Sequence, residues 1–224
     1  MTTTATQGTR RPGLLLGAFA LGCSTLLAFG NNFTRDEIAL RQAEDLQATL
    51  VQTVPPALHD NDLLADPLQI ARVGAAPVTV YRARQGNEVT AVAYSWSTEA
   101  GYGGPISLIV GVSREGRIIG VRVLSHSETP GLGDKIDIRK SDWVRSFDGR
   151  TFDPGATQHW AVRKDGGDFD QFAGATITPR AVVGAVRESL QFFAEHRARL
   201  LAPAAPAAQA ERTPAEQSQQ GKQP

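Results

Sequence analysis

A chain of 224 residues has room for one globular domain of ordinary size plus accessory segments, and not for several catalytic domains. Its 23 basic and 23 acidic residues balance, and no basic stripe interleaved with aromatics occurs, so nucleic-acid binding is not expected. Cys23 is the only cysteine, which excludes an intrachain disulfide, a Cys-rich zinc site and a self-contained iron–sulfur cluster; any redox chemistry must come from a cofactor.

Arg10 and Arg11 precede a nearly charge-free run, residues 12–30, rich in Leu, Ala, Phe and Gly. At about 1.5 Å per residue this run approaches the ~30 Å hydrocarbon core of a bilayer. Asn31-Asn32-Phe33-Thr34 offers no small-x-small cleavage site, so we read an uncleaved transmembrane anchor. No comparable basic cluster follows it, and the positive-inside rule then leaves residues 1–11 cytoplasmic and the remainder outside. Arg10-Arg11 matches a twin-arginine signal only as a dipeptide. Ala20-Leu21-Gly22-Cys23 has its leucine one place late for a lipoprotein site, and a cysteine inside an apolar helix is unremarkable.

Residues 31–76 read as a helical linker region. Thr34 is placed as an N-cap with Glu37 completing a capping box, and Ile38, Leu40, Leu46 and Leu50 recur at near-helical spacing up to Pro55-Pro56. From Pro77 the period changes. Strand-like runs cover Val78, Val80 and Tyr81, then Val89 to Tyr94, then Ile106 to Val110, then Ile118 to Val123. The short turns between them join antiparallel neighbours, predicting a meander of about four strands, with the hairpin at Gly116 the clearest.

Next comes the loop over residues 125–136, Ser-His-Ser-Glu-Thr-Pro-Gly-Leu-Gly-Asp-Lys-Ile. Pro130 fixes a turn and Gly131 and Gly133 permit close backbone approach; a ligand loop and a plain Pro-Gly turn both fit. Ser141 is positioned to cap a short helix through Trp143, Val144 and Phe147. Trp160-Ala161-Val162 reads as a further strand. In Asp170-Gln171-Phe172-Ala173-Gly174-Ala175-Thr176-Ile177-Thr178, Gly174 and Ala175 leave the backbone open beside Thr176. Pro179 pre-sets a helix start, which places Thr178 at the N-cap and Thr176 in the exposed turn before it. Such a place suits a phosphate, and an ordinary capped helix accounts for the same residues. On that helix Ala181, Val182, Ala185, Val186, Leu190, Phe193 and Ala194 share one face. Residues 77–199 thus form the folded domain, and 200–224, rich in Ala, Pro and Gln, read as a disordered tail.

The four histidines have no metal-ligand spacing, no catalytic triad or carboxylate pair can be ordered, and neither a Walker loop nor a strand-linked G-x-G-x-x-G is present. We therefore expect no metal and no catalytic side chain. Gly155-Ala156-Thr157 repeats the Gly-Ala-Thr tripeptide, but Pro154 intervenes after Asp153 and no amphipathic helix follows, so Thr157 is assigned an ordinary loop role.

Residues 170–176 resemble the D-x-x-(S/T/A)-G-A-T flavinylation motif of FMN-binding domains, in which the last threonine carries FMN through a phosphoester bond. With the 125–136 loop, the Ser141-Asp142-Trp143 helix, the 164–170 turn and the anchor, residues 10–199 resemble the G subunits of the Rnf (Rsx) electron-transport complex. Ala173 stands where Ser or Thr is common; it is small enough to preserve access.

This resemblance implies an α+β fold, an N-terminal transmembrane helix followed by an extracytoplasmic FMN-binding domain with a mainly antiparallel sheet and packed helices. It implies covalent FMN on Thr176, attached by a separate flavin transferase with FAD as donor. Thr176 is then a modification site rather than a catalytic one, and Asp170 belongs to the transferase's recognition element. Glu128, Thr129, Gly131 and Leu132 would line the flavin, Gly174 would leave it room, and Ala175 and Thr178 would flank the phosphate. It further implies a bacterial inner-membrane subunit, inactive alone, that passes electrons within a complex coupling ferredoxin–NAD electron flow to ion movement. The other subunits of that complex supply the iron–sulfur and nicotinamide chemistry. The C subunit of the sodium-pumping NADH:quinone reductase shares the domain but matches residues 172–181 less closely. A membrane-anchored scaffold without flavin is the alternative of a different class.

Overall fold

The computed structural model describes residues 10–72 and 75–203 and divides into two compact units, Met1–Ala48 and Thr49–Pro224. The expectations for residues 1–9 and for the tail from 204 onward lie outside the described residues.

The first unit is helical. Helix α1 (Arg10–Thr53) contains the stretch Pro12–Arg35, whose 24 residues have a mean hydropathy of 1.8. That is long and apolar enough to cross a membrane. The helix does not restart at Thr34 as expected. The Thr34 hydroxyl donates to the Gly30 carbonyl at 3.0 Å, and Glu37 pairs with Arg41 at 3.1 Å instead of reaching back to a cap. Apolar and polar halves are both helix-compatible, so nothing breaks the backbone between them, and a hydroxyl inside a helix bonds the carbonyl one turn back.

The second unit takes in the last turn of α1 and everything after it. Its centre is an antiparallel meander in the order β1 (Leu68–Arg72), β2 (Ala75–Gln85), β3 (Glu88–Thr98), β4 (Ile106–Ser113) and β5 (Ile118–Ser125). Four of these strands match the sequence reading. β1 does not: it lies inside the expected linker, because only Ile70 of its five residues is buried and an edge strand carries little alternation.

The two faces of the sheet differ in side-chain size, as the period of two allows. Val80, Val92, Tyr94, Trp96, Leu108, Val110, Val112 and Val121 face α2 (Ile177–Leu200), which returns Val182, Val186, Leu190, Phe192 and Phe193 to the same core. Tyr94, fully buried, donates its hydroxyl to the Ser189 carbonyl at 2.9 Å. Burial pushes that phenol far above the usual tyrosine range, so it stays protonated across the accessible pH range. The opposite face carries Tyr81 and Ile109 around a patch of small residues, Ala83, Ala91, Ala93, Gly111 and Gly120, and receives Leu50, Thr53 and Val54. A Cβ at Gly111 would stand 2.6 Å from the Thr53 methyl and 2.8 Å from its carbonyl oxygen, so glycine is what lets the helix end touch the sheet.

Beyond β5 the chain forms short 3₁₀ turns over Gly133–Ile136, Asp142–Phe147, Pro154–His159 and Arg163–Asp165. Ser141 caps the second of these as predicted, accepting from the Trp143 N–H at 3.2 Å. The expected strand at Trp160 to Val162 is absent. Trp160 and Val162 are both buried, but turn hydrogen bonds on either side, Trp160 N–H to Thr157 O and Asp165 N–H to Val162 O, leave only a single bridge from Val162 to Phe169. An aromatic cluster replaces strand pairing here: Phe147 lies 4.6 Å from Phe169, Trp160 lies 5.4 Å from Phe169, and Trp143 lies 5.2 Å from Phe172. On α2, Ala194 is exposed and Phe192 takes the inward position expected of it.

Candidate functional site

The segment before α2 is held from two sides. Phe172 is buried against Trp143, whose indole N–H donates to the Asp170 carbonyl at 2.7 Å. Between Phe172 and Ala175 the chain makes a tight turn, with the Ala175 N–H on the Phe172 carbonyl at 3.1 Å and Gly174 at φ 79°. An L side chain rarely adopts that φ, which explains the glycine. The Asp170 carboxylate pairs with Arg163 at 2.8 Å, both largely exposed, and Asp165 pairs with Arg180 at 2.6 Å.

Thr176 itself occupies the N-cap position of α2, with φ −74° and ψ −28°, and its side chain caps nothing. The sequence placed Thr178 there. Thr178 instead lies two residues further on, buried in the first turn, and donates its hydroxyl to Glu128. The helix starts earlier than Pro179 suggests because proline is tolerated throughout the first turn, where its missing N–H leaves no bond unmade. Thr176 is half-buried and its hydroxyl makes no hydrogen bond among the described residues. Around it the positive end of the helix dipole favours an anion.

A cleft of about 500 Å³ opens at this point, lined by Tyr102, Glu128, Thr129, Leu132, Gly133 and the run from Gly174 to Thr178. This volume lies within the ~300–1,000 Å³ range of small-molecule sites. Three separated segments meet there: the loop between β3 and β4, the loop after β5 and the start of α2. Of the residues singled out in the sequence, Thr176, Gly174, Ala175, Thr178, Glu128, Thr129 and Leu132 line it. Gly131 stands outside the lining, making the turn at φ 79°, while the Thr129 carbonyl collects the Leu132 and Gly133 N–H groups at 3.1 Å each. Asp170 is outside as well, paired with Arg163. Thr157 is exposed within Pro154–His159 and has no part in the cleft.

Sequence reasoning missed Tyr102 and Ile177 as lining residues, while Gly133, read as permitting close backbone approach, does line the cleft. Tyr102 is 70 % exposed in Gly101-Tyr102-Gly103-Gly104-Pro105, a stretch whose glycines spell a turn and so mask an aromatic at a ligand site. An aromatic flanked by glycines is the signal that was available. Together the exposed Tyr102, Leu132 and Ile177 give the cleft an apolar rim, while its buried lining residues are Glu128, Gly133 and Thr178.

In the loop that follows Gly133–Ile136, Asp137 accepts three side-chain contacts and the backbone N–H of Arg139, which hold its carboxyl below the usual carboxylate range against the opposing effect of burial. Because the folded value is the lower one, the stability it lends is complete above the ordinary aspartate range and is lost as pH falls through the depressed value. Asp137→Asn is expected to lower the melting temperature at neutral pH and to flatten the acid limb of the melting profile, measured by circular dichroism against pH.

Comparison with known proteins bears on the same segments. Residues 101–191 match the model of the FMN-binding domain, so the cleft lies inside a domain of that class. Residues 1–53 match the RnfG N-terminal region. The G subunit of the ion-translocating oxidoreductase complex of Cereibacter sphaeroides is 54 % identical over 192 residues, covering 85 % of this chain and 87 % of that protein. The proteins of the same name from Shewanella amazonensis and Pseudomonas aeruginosa are each 47 % identical, covering 88 % and 92 % of their own lengths and 83 % and 86 % of this chain. The chain belongs to the family of G subunits of ion-translocating oxidoreductase complexes, and with its membrane-length helix it is a membrane-anchored member.

Proposed function

We propose that the chain is the subunit of an ion-translocating ferredoxin:NAD oxidoreductase complex that carries FMN as a phosphoester on Thr176 and relays electrons between other subunits. The observation that carries this is an unengaged threonine hydroxyl at the mouth of a cleft of about 500 Å³, at a helix N-terminus, within an FMN-binding domain. Bound FMN supplies the one- and two-electron transfer that the side chains here lack. Gly174 makes the turn that presents Thr176, at a φ of 79° that L side chains rarely adopt. The positive end of α2 faces the place a phosphate would take, and Tyr102, Leu132 and Ile177 offer the apolar surface for a ring.

In attachment, the Thr176 oxygen bonds to the flavin-side phosphorus of FAD, AMP leaves, and the hydroxyl proton passes to a base on the flavin transferase. This chain needs no base of its own, and none of its histidines lines the cleft. The exposed Asp170–Arg163 pair, whose aspartate stands six residues before Thr176, supplies a feature for the transferase to recognise. Expressed with the transferase and then denatured, the full chain should show flavin fluorescence on its gel band and a mass increase of FMN less water. Without the transferase it should show neither.

With Arg10 and Arg11 before the anchor and no comparable basic cluster after it, the domain lies outside the cytoplasm. A reporter active only in the periplasm, fused after Arg199, should be active; an inactive fusion would reverse the orientation.

A further inference from the structure

Glu128 is 5 % exposed, and both its oxygens are held by uncharged donors. Oε1 accepts from the Gly103 N–H at 3.0 Å, Oε2 accepts from the Thr178 hydroxyl, and the Glu128 N–H donates to His126 Nδ1 at 3.1 Å. One side chain therefore joins the β3–β4 loop, the loop after β5 and the first turn of α2. Glycines in these loops let the backbones and the Glu128 carboxylate come this close. A Cβ at Gly133 would stand 2.8 Å from both Oε2 and the Thr178 hydroxyl, and one at Gly101 would stand 2.2 Å from the Gly104 carbonyl oxygen as well as 2.8 Å from Oε1. A Cβ at Gly103 would fall 2.0 Å from the Ser127 carbonyl oxygen. None of these three glycines has a positive φ, so they are glycines for room and not for backbone freedom.

We propose that Glu128 is a positioning residue for the flavin: its carboxylate clasps the Tyr102 loop to the turn that carries Thr176, and it sets a negative charge in the cleft wall that makes a bound flavin harder to reduce. The clasp follows from the hydrogen bonds alone. The charge rests on the reading that FMN occupies this cleft, since a nearby negative charge opposes the gain of electrons. Glutamine separates the two roles. In Glu128→Gln the side-chain oxygen still accepts from Gly103 and the amide N–H₂ donates to Thr178, so the clasp survives while the charge is gone; Glu128→Ala removes both.

The clasp is tested in the full-length chain without flavin, by hydrogen–deuterium exchange of a peptide covering residues 101–105. In Glu128→Ala the Gly103 amide should exchange about tenfold faster or more, with β3 and β4 unchanged, and in Glu128→Gln it should stay near the wild-type rate. Equal rates in wild type and Glu128→Ala would overturn the clasp. The charge is tested in the flavinylated chain by spectroelectrochemical titration, where Glu128→Gln should raise the midpoint potential; an unchanged or lower potential would overturn it. A wild-type chain that takes up no flavin would remove the charge role together with the flavin reading, while the exchange experiment would still decide the clasp.

Discussion

Thr176→Ala abolishes the flavin fluorescence of the denatured band and its added mass, while Thr157→Ala leaves both unchanged. This is the expected outcome because a phosphoester needs the hydroxyl oxygen, and alanine removes it without disturbing what surrounds it. The Thr176 side chain caps nothing, so its loss should change stability by no more than about 0.5 kcal/mol. An intact melting transition with no flavin attached then isolates chemistry from folding. Thr157 carries the same tripeptide context but sits exposed in a 3₁₀ turn, away from the cleft. Flavin retained in Thr176→Ala, or lost in Thr157→Ala, would move the attachment site elsewhere.

Phe147→Ala should be the most damaging of the simple core truncations, at about 3–5 kcal/mol by denaturant titration. Phe147 is fully buried, and its ring contacts Trp143 at 5.5 Å, Trp160 at 6.4 Å and Phe169 at 4.6 Å. This part of the domain has few strand hydrogen bonds to fall back on, so ring packing holds the chain from Asp142 to Phe172 in place. Trp143 reaches from the same 3₁₀ turn to Asp170 and Phe172, and the Thr176 turn depends on that reach. Lower flavin incorporation should therefore accompany the loss of stability, whereas a variant with unchanged midpoint would show that the cluster is not a structural unit.

Much of the fold could be read in the chain because the relevant patterns are local. Strand alternation in β2 to β5, the turn at Gly116 and the Ser141 cap each depend on neighbours within a few residues, and all three are present. The misses have another cause. β1 buries only Ile70, so it pairs through its backbone and leaves no trace in side-chain pattern. Trp160 and Val162 alternate like a strand but are buried in a cluster where the Trp160 ring meets Phe147, Phe152 and Phe169. Thr34 carries a cap signature that a continuous helix overrides, since no helix end exists there to cap. At the site, the motif around Thr176 pointed to the cleft, whereas Tyr102 enters from 74 residues earlier in the chain, a pairing that only the folded meander creates.

The order of elements has a consequence for biosynthesis. The sheet is complete by Ser125, yet the face formed by Val92, Leu108 and Val110 is covered by α2, which spans Ile177–Leu200. During synthesis the meander must wait, with one apolar face bare, until a helix made more than fifty residues later arrives to cover it. The same helix brings Thr176 and Thr178 to the cleft. Covering the core and completing the cofactor site are thus one event, so a chain stopped before Leu190 should be both sticky and unable to hold a flavin in place.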